Sequence, residues 1–272
     1  MDLFWIESIY YIVFNKKRSL SNNLDPKITL KEATVSIPIF SNTSNSIKRK
    51  ILNGFSGGKI SVENKMKSVL ALNSISCKLY GGEKVALIGH NGAGKTSFIR
   101  TISGIYKLTS GFIERKVDVY PMIERSFIVE EELTGYDSAK AHYLIMNNSL
   151  DGFEDFLDYV IQFSGIGEYL YLPLKTYSEG MASRLTFSLL TFHKHDCLAL
   201  DEAIGTGDQN FYKKAQKRLN EYLTSSGMLI LSSHSSALLR RFCERGLVFS
   251  GGSIIFDGDL EDALKFYDET NN

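Results

Sequence analysis

Residues 84–97 read Lys84-Val85-Ala86-Leu87-Ile88-Gly89-His90-Asn91-Gly92-Ala93-Gly94-Lys95-Thr96-Ser97. The first five form a short run, apolar after its lysine, that fits a strand buried on both faces of a parallel or mixed sheet. Gly89–Thr96 matches G-x-x-x-x-G-K-[ST]. Glycines in such a loop let the backbone wrap a phosphate chain without Cβ clashes. Successive N–H groups and the N-terminus of the next helix then point at the anion. In that arrangement Lys95 bridges the β- and γ-phosphates and the Thr96 hydroxyl ligates Mg²⁺. Gly89, His90, Asn91, Gly92, Ala93, Gly94, Lys95, Thr96 and Ser97 are therefore the candidate nucleotide-binding residues, with Ser97–Ser103 continuing as a helix. Taken alone, the loop implies only a nucleoside triphosphate.

Working outward, Ile28–Phe40 reads as extended chain. Residues 41–68, rich in Ser, Asn, Lys and Gly, read as a long surface loop. Val69–Lys78 resumes β character, and Gly81-Gly82 makes a turn. Downstream, Val117–Ile123 is a further strand. Over residues 127–175, Tyr and Leu recur at helical spacing and β-rich runs disappear, which predicts a helical lobe. Two apolar strands follow, Cys197–Leu200 and Met228–Leu231, with an amphipathic helix Gln209–Leu223 between them. Gly246–Gly258 reads as a hairpin turning at Gly251-Gly252. A last helix has Asp259 as its cap. Strands alternating with helices predict an α/β fold with a mixed sheet and an inserted helical subdomain.

The strand Leu198-Ala199-Leu200 ends in Asp201-Glu202. Two carboxylates at a strand tip lie at the carboxyl edge of the sheet, where α/β folds bind ligands. With the phosphate loop upstream, Asp201 is the candidate Mg²⁺ carboxylate and Glu202 the candidate base that polarises an attacking water.

At this point the chain resembles the ABC ATPases. Tyr177-Ser178-Glu179-Gly180-Met181 precedes Asp201 and opens an amphipathic helix, and it is similar to that family's signature motif, commonly Leu-Ser-Gly-Gly-Gln. Ser232-Ser233-His234, 33 residues after Asp201, places His234 where the family has its switch histidine. The resemblance spans about residues 28–256. It implies a core lobe of residues 28–126 and 176–258, a helical subdomain of 127–175, an N-terminal extension of 1–27 and a C-terminal helix and tail of 259–272.

Finer features narrow the likeness. The chain reads Asp201-Glu202-Ala203-Ile204-Gly205-Thr206-Gly207-Asp208 where most members have a proline turn. Glu124 stands at the Q-loop glutamine, Glu132-Leu133-Thr134-Gly135 follows, and the signature is of the Tyr-Ser-x-Gly-Met kind. Together these resemble the ATP-binding subunits of bacterial polysaccharide exporters, which move O-antigen, capsule or teichoic acid chains, in the short form lacking a carbohydrate-binding domain. Motors for lipid or drug export, or a soluble ABC ATPase, are the alternatives.

The resemblance implies a homodimer that sandwiches ATP and Mg²⁺ and works with an integral-membrane permease on the cytoplasmic side of the inner membrane, reaching its polysaccharide indirectly. Ser178 and the Gly180 backbone would meet the γ-phosphate in trans, and Ser178 is also a natural helix N-cap. His234 would bond the γ-phosphate and orient Glu202, and Asp208 would couple the two copies. Two points stay open. Glu124 either holds the metal more tightly or repels the γ-phosphate. The adenine-stacking place falls to Phe40, the nearest aromatic, or to Ile37.

Bulk properties agree with a folded, non-spanning chain. The 272 residues are 43% hydrophobic with only four prolines, which excludes a disordered polymer. The 31 basic and 31 acidic residues balance, so no bulk charge draws the chain to nucleic acid or anionic membrane. No apolar run reaches the ~18 residues of a membrane span. The N-terminal segment reads as a short amphipathic helix over residues 1–20, packed on the protein's own surface, on a membrane subunit or at the lipid interface. Asp2 and Glu7 precede Lys16-Lys17-Arg18, the reverse of the charge order of a signal peptide. Cys77, Cys197 and Cys243 are far apart and each has apolar neighbours, which predicts buried free thiols.

Overall fold

The computed structural model describes residues 25–38, 68–123, 131–201 and 209–271. The proposed N-terminal helix, the Ser/Asn-rich loop, and the residues Phe40, Glu124, Glu202 and Asp208 lie outside them.

Among the described residues nine strands form two sheets. β1 (Pro26–Pro38), β2 (Ser68–Tyr80) and β4 (Ser110–Arg115) make an antiparallel sheet in the order β2-β1-β4. The second sheet runs β5-β6-β7-β3-β8-β9, from β3 (Lys84–Ile88), β5 (Val119–Ile123), β6 (Cys197–Asp201), β7 (Met228–Ser232), β8 (Arg245–Ser250) and β9 (Ser253–Asp259). β5, β6, β7, β3 and β8 are parallel, and β9 closes the edge as the antiparallel arm of the expected hairpin.

The apolar runs are buried on both sides because a strand sends alternate side chains to opposite faces. Val85, Leu87, Cys197, Ala199, Met228 and Ile230 enter one core, roofed by the antiparallel sheet and by Phe98, Ile99 and Ile102. Ala86, Ile88, Leu198, Leu200, Leu229 and Leu231 enter a second core on the far face. Burying each Leu or Ile contributes roughly 1.5–3 kcal/mol, so both halves of every central strand are committed. The three cysteines are buried thiols, as their apolar surroundings imply.

Seven α-helices lie among the described residues. α1 (Lys95–Ile102) follows the phosphate loop and begins two residues earlier than the sequence suggests, so Lys95 and Thr96 sit in its first turn. α2 (Gly135–Asn147) and α3 (Phe153–Ser164) fall within the predicted helical stretch, with 3₁₀ turns at Gly167–Tyr171 and Leu174–Thr176. α4 (Glu179–Leu190) adds Leu185 and Leu189 to the core built by Ala139, Tyr143, Phe156 and Val160 of α2 and α3. α5 (Gln209–Ser225), α6 (Ser236–Phe242) and α7 (Leu260–Asn271) complete the set. Asp259 accepts from the Glu261 N–H at 3.0 Å, as a cap should. α5 holds the helical lobe by its carbonyl ends. Lys214 donates to Gln162 O and Phe163 O, each at 3.0 Å, at the end of α3, and Arg218 donates to Thr191 O at the end of α4. Cations at helix C-termini are favourable there.

A histidine cluster sits beside this junction. His142 on α2 is buried against Phe156, and His195 stacks on Tyr120 with ring centroids 3.8 Å apart. Burial holds both imidazoles at about 4, with the nearby His193 adding to the effect. The folded state keeps them neutral while the unfolded chain protonates them near 6.5, so stability is lost as pH falls from about 6.5 to about 4. For His142 this is about 2 kcal/mol by pH 5, a Tm decrease of roughly 4–8 °C. Thermal melts from pH 7 to 5 should show the decrease, and His142→Gln should make it clearly shallower, with His195 supplying the remainder. An equal slope in that variant would locate the pH dependence elsewhere.

Candidate functional site

Four parallel strands deliver the candidate residues to one edge. β3 ends at Ile88 and runs into the glycine loop. β6 ends at Asp201, which pairs with Ser232 at the end of β7 on one side and with Ile123 at the end of β5 on the other. The carboxyl edge thus presents Gly89–Thr96, Asp201 and Ser232–His234 together.

The loop needs its glycines for distinct reasons. Gly89 adopts φ +151°, and a methyl there would meet the Phe249 carbonyl oxygen at 2.6 Å. Gly94 adopts φ +114°, with Gly252 Cα and the Ala71 carbonyl oxygen 3.1 and 3.3 Å from where a Cβ would stand. These approaches come from β8, from the β8–β9 turn and from β2. The Gly252 N–H donates to Ala93 O at 2.9 Å, and the Asn73 N–H donates to Gly252 O at 2.8 Å. The hairpin turn therefore braces the phosphate loop against β2. The paired glycines signalled the turn, but nothing in their spacing signalled its contact with Ala93.

Lys95 is buried, and its ammonium donates to Gly89 O at 2.6 Å and His90 O at 3.0 Å, spanning the mouth of the loop. The Thr96 hydroxyl donates to Asp201 Oδ2. A hydroxyl and a carboxylate side by side are hard oxygen donors of the kind Mg²⁺ takes, alongside phosphate oxygens and water. His234 is exposed, and its Nε2 lies 3.0 Å from Asn91 Oδ1, so the Nε2-protonated tautomer donates to the loop amide. Asn91 thus joins the loop to β7, a contact across 143 residues that no local pattern reveals.

Ser178 caps α4, its hydroxyl accepting from the Met181 N–H at 3.2 Å. Ser178 is exposed and Gly180 half-buried. The described hydrogen bonds do not tie Ser178 to Gly89–Thr96 or to Asp201 within one copy of the chain. Ile37 is partly buried, pairs with Val69 and packs on the first core.

Residues 72–205 match the family model described as ABC transporter. The O-antigen export system ATP-binding protein RfbE of Yersinia enterocolitica is 35% identical over 219 residues, covering 80% of this chain and 92% of that protein. The chain belongs to the ABC transporter ATP-binding family. A second relative, the capsule polysaccharide export ATP-binding protein CtrD of Neisseria meningitidis serogroup B, is 35% identical over 76% of this chain and 98% of its own length. In fold, the chain is similar to a dimeric ATP-binding cassette, MJ0796, captured in a post-hydrolysis state with ADP and phosphate. The TM-score is 0.60 at 14% identity, covering 86% of this chain and 98% of that one. The α/β fold with an inserted helical region is thus that of an ABC cassette. Among the described residues no helix is long and apolar enough to cross a membrane.

Proposed function

We propose that the chain is the ATP-hydrolysing subunit of an exporter of cell-surface polysaccharide, working as a homodimer against a membrane permease from the cytoplasmic side. The observation that carries the ATPase reading is the convergence of Lys95, the Thr96–Asp201 contact and the Asn91–His234 contact on one sheet edge. The loop Gly89–Thr96, with Ser97 behind it, holds the phosphates of ATP. Thr96 and Asp201 are the residues that would hold Mg²⁺, which when bound neutralises charge on the β- and γ-phosphates. Glu202, directly after Asp201, takes the proton of the attacking water, and His234 orients it. Ser178 and the N–H groups around Gly180, at a helix N-terminus that favours anions, complete the γ-phosphate site of a second copy. Residues 127–175 act as the helical subdomain between core segments 28–126 and 176–258, and Asp208 links the copies. Glu124 follows β5, whose last residue pairs with Asp201, so its place in the chain suits a role beside the metal.

The polysaccharide cargo rests on the O-antigen and capsule exporters among the relatives. Its test is reconstitution of the chain with its permease in lipid vesicles, followed by phosphate release with and without a lipid-linked O-antigen or capsule glycan. Stimulation by the glycan lipid alone is the expected result. Stimulation only by a drug or by a lipid without sugar would assign the motor to another cargo.

A further inference from the structure

We infer that Tyr177 and Gly135 form a lock that positions the signature serine, Ser178, for its partner copy. The inference rests on the proposed reading of Ser178 as a group acting in trans. It starts from a short ladder between two segments far apart in sequence. The Leu174 N–H donates to Leu133 O at 2.8 Å, the Lys175 N–H to Glu131 O at 3.0 Å, and the Gly135 N–H to Leu172 O at 3.4 Å. Thr134 and Pro173 form a bridge in the same run. The chain that follows residues 124–130 is thereby stitched to the chain that enters Ser178. The Lys175–Glu132 pair, 2.6 Å long, lies over the ladder but is half-exposed, so it adds little.

Tyr177 closes the ladder. Its ring packs on the helical core, and its hydroxyl donates to Tyr169 O at 2.6 Å. The Gly135 backbone lies directly against that hydroxyl. Gly135 opens α2, where alanine would favour the helix by roughly 1 kcal/mol. A methyl there would instead collide with the Tyr177 hydroxyl and meet the Leu170 carbonyl oxygen at 3.0 Å. The glycine is explained by the tyrosine it accommodates, not by helix formation. Ser178 is the next residue. Its backbone direction is fixed on one side by this anchored ring and on the other by its own cap bond to Met181. An exposed serine and helix N-terminus that must meet a nucleotide on another molecule require placement to within about 0.5 Å. The lock supplies that from behind, without touching the nucleotide.

Tyr177→Phe removes one hydroxyl and keeps the ring. In a Glu202→Gln chain, where turnover is stopped, it should weaken ATP-driven dimerisation by about 3- to 10-fold, the size of one lost hydrogen bond. A fluorescent ATP analogue should bind the single copy with unchanged affinity, a split that general destabilisation would not give. Gly135→Ala should weaken dimerisation further, and Gly135→Ala combined with Tyr177→Phe should recover part of that extra loss, because the colliding hydroxyl is gone while the tight contact with the Leu170 carbonyl remains. Parent-like dimerisation of Tyr177→Phe would overturn the lock, as would a Gly135→Ala defect that the second change does not relieve. Ser178→Ala is measured in parallel. If Ser178→Ala dimerises normally while Tyr177→Phe does not, the reading of Ser178 is what fails.

Discussion

Lys95→Ala should cost the chain at least about 100-fold in affinity for ATP. The ammonium spans the loop mouth between Gly89 O and His90 O, buried and aimed where the β- and γ-phosphates would lie. Charge-assisted hydrogen bonds are worth roughly 1.5–3 kcal/mol each, so losing two corresponds to about 10²–10⁴-fold. The truncation also removes the ammonium from Gly89 O and leaves His90 O only the Ala93 N–H, which loosens the loop that Gly252 braces from outside. A fluorescent ATP analogue titrated against parent and variant reads the effect directly, with a thermal melt to show that the variant is folded. Unchanged affinity in a folded variant would mean that the loop is not the phosphate site.

Glu202→Gln separates binding from chemistry. The amide keeps the size of the side chain and loses the ability to take a proton. ATP should bind as before, while phosphate release drops by about 10²–10⁴-fold, the usual contribution of a positioned general base. The expectation comes from the neighbouring residue. Asp201 at the tip of β6 already contacts Thr96 of the phosphate loop, and Glu202 is the next carboxylate in the chain. Wild-type-like phosphate release would move the base to another residue.

The sequence was most legible where one physical cause dominated. β3 and its loop could be read because a continuous apolar run meets a glycine pattern with a single geometric use. The hairpin at Gly251-Gly252 and the cap at Asp259 were equally local. β4 escaped notice because Ser110–Arg115 lies largely exposed, with only Ile113 partly packed against the core, so it carries no alternating pattern. α6 escaped because seven residues are too few to show a helical period, and its cap, Ser235, ends a serine-rich run that reads as loop. The start of α1 was read late because Lys95 and Thr96 were assigned to the loop for their chemistry, although helix and loop share them. In the site, residue types and spacing pointed to Lys95, Thr96 and Asp201, and the family resemblance pointed to His234. The contacts that hold them were invisible: Asn91 to His234, Ala93 to Gly252 and Gly135 to Tyr177 join residues with no common periodicity.

A composite nucleotide site is the central claim, with one copy giving Gly89–Thr96 and the other giving Ser178. Sedimentation of the Glu202→Gln chain with and without saturating MgATP tests it most directly. The account predicts 30.6 kDa without nucleotide, about twice that mass with ATP, and a return to the single mass when Ser178→Ala is added. A chain that binds ATP and still sediments at 30.6 kDa would contradict it.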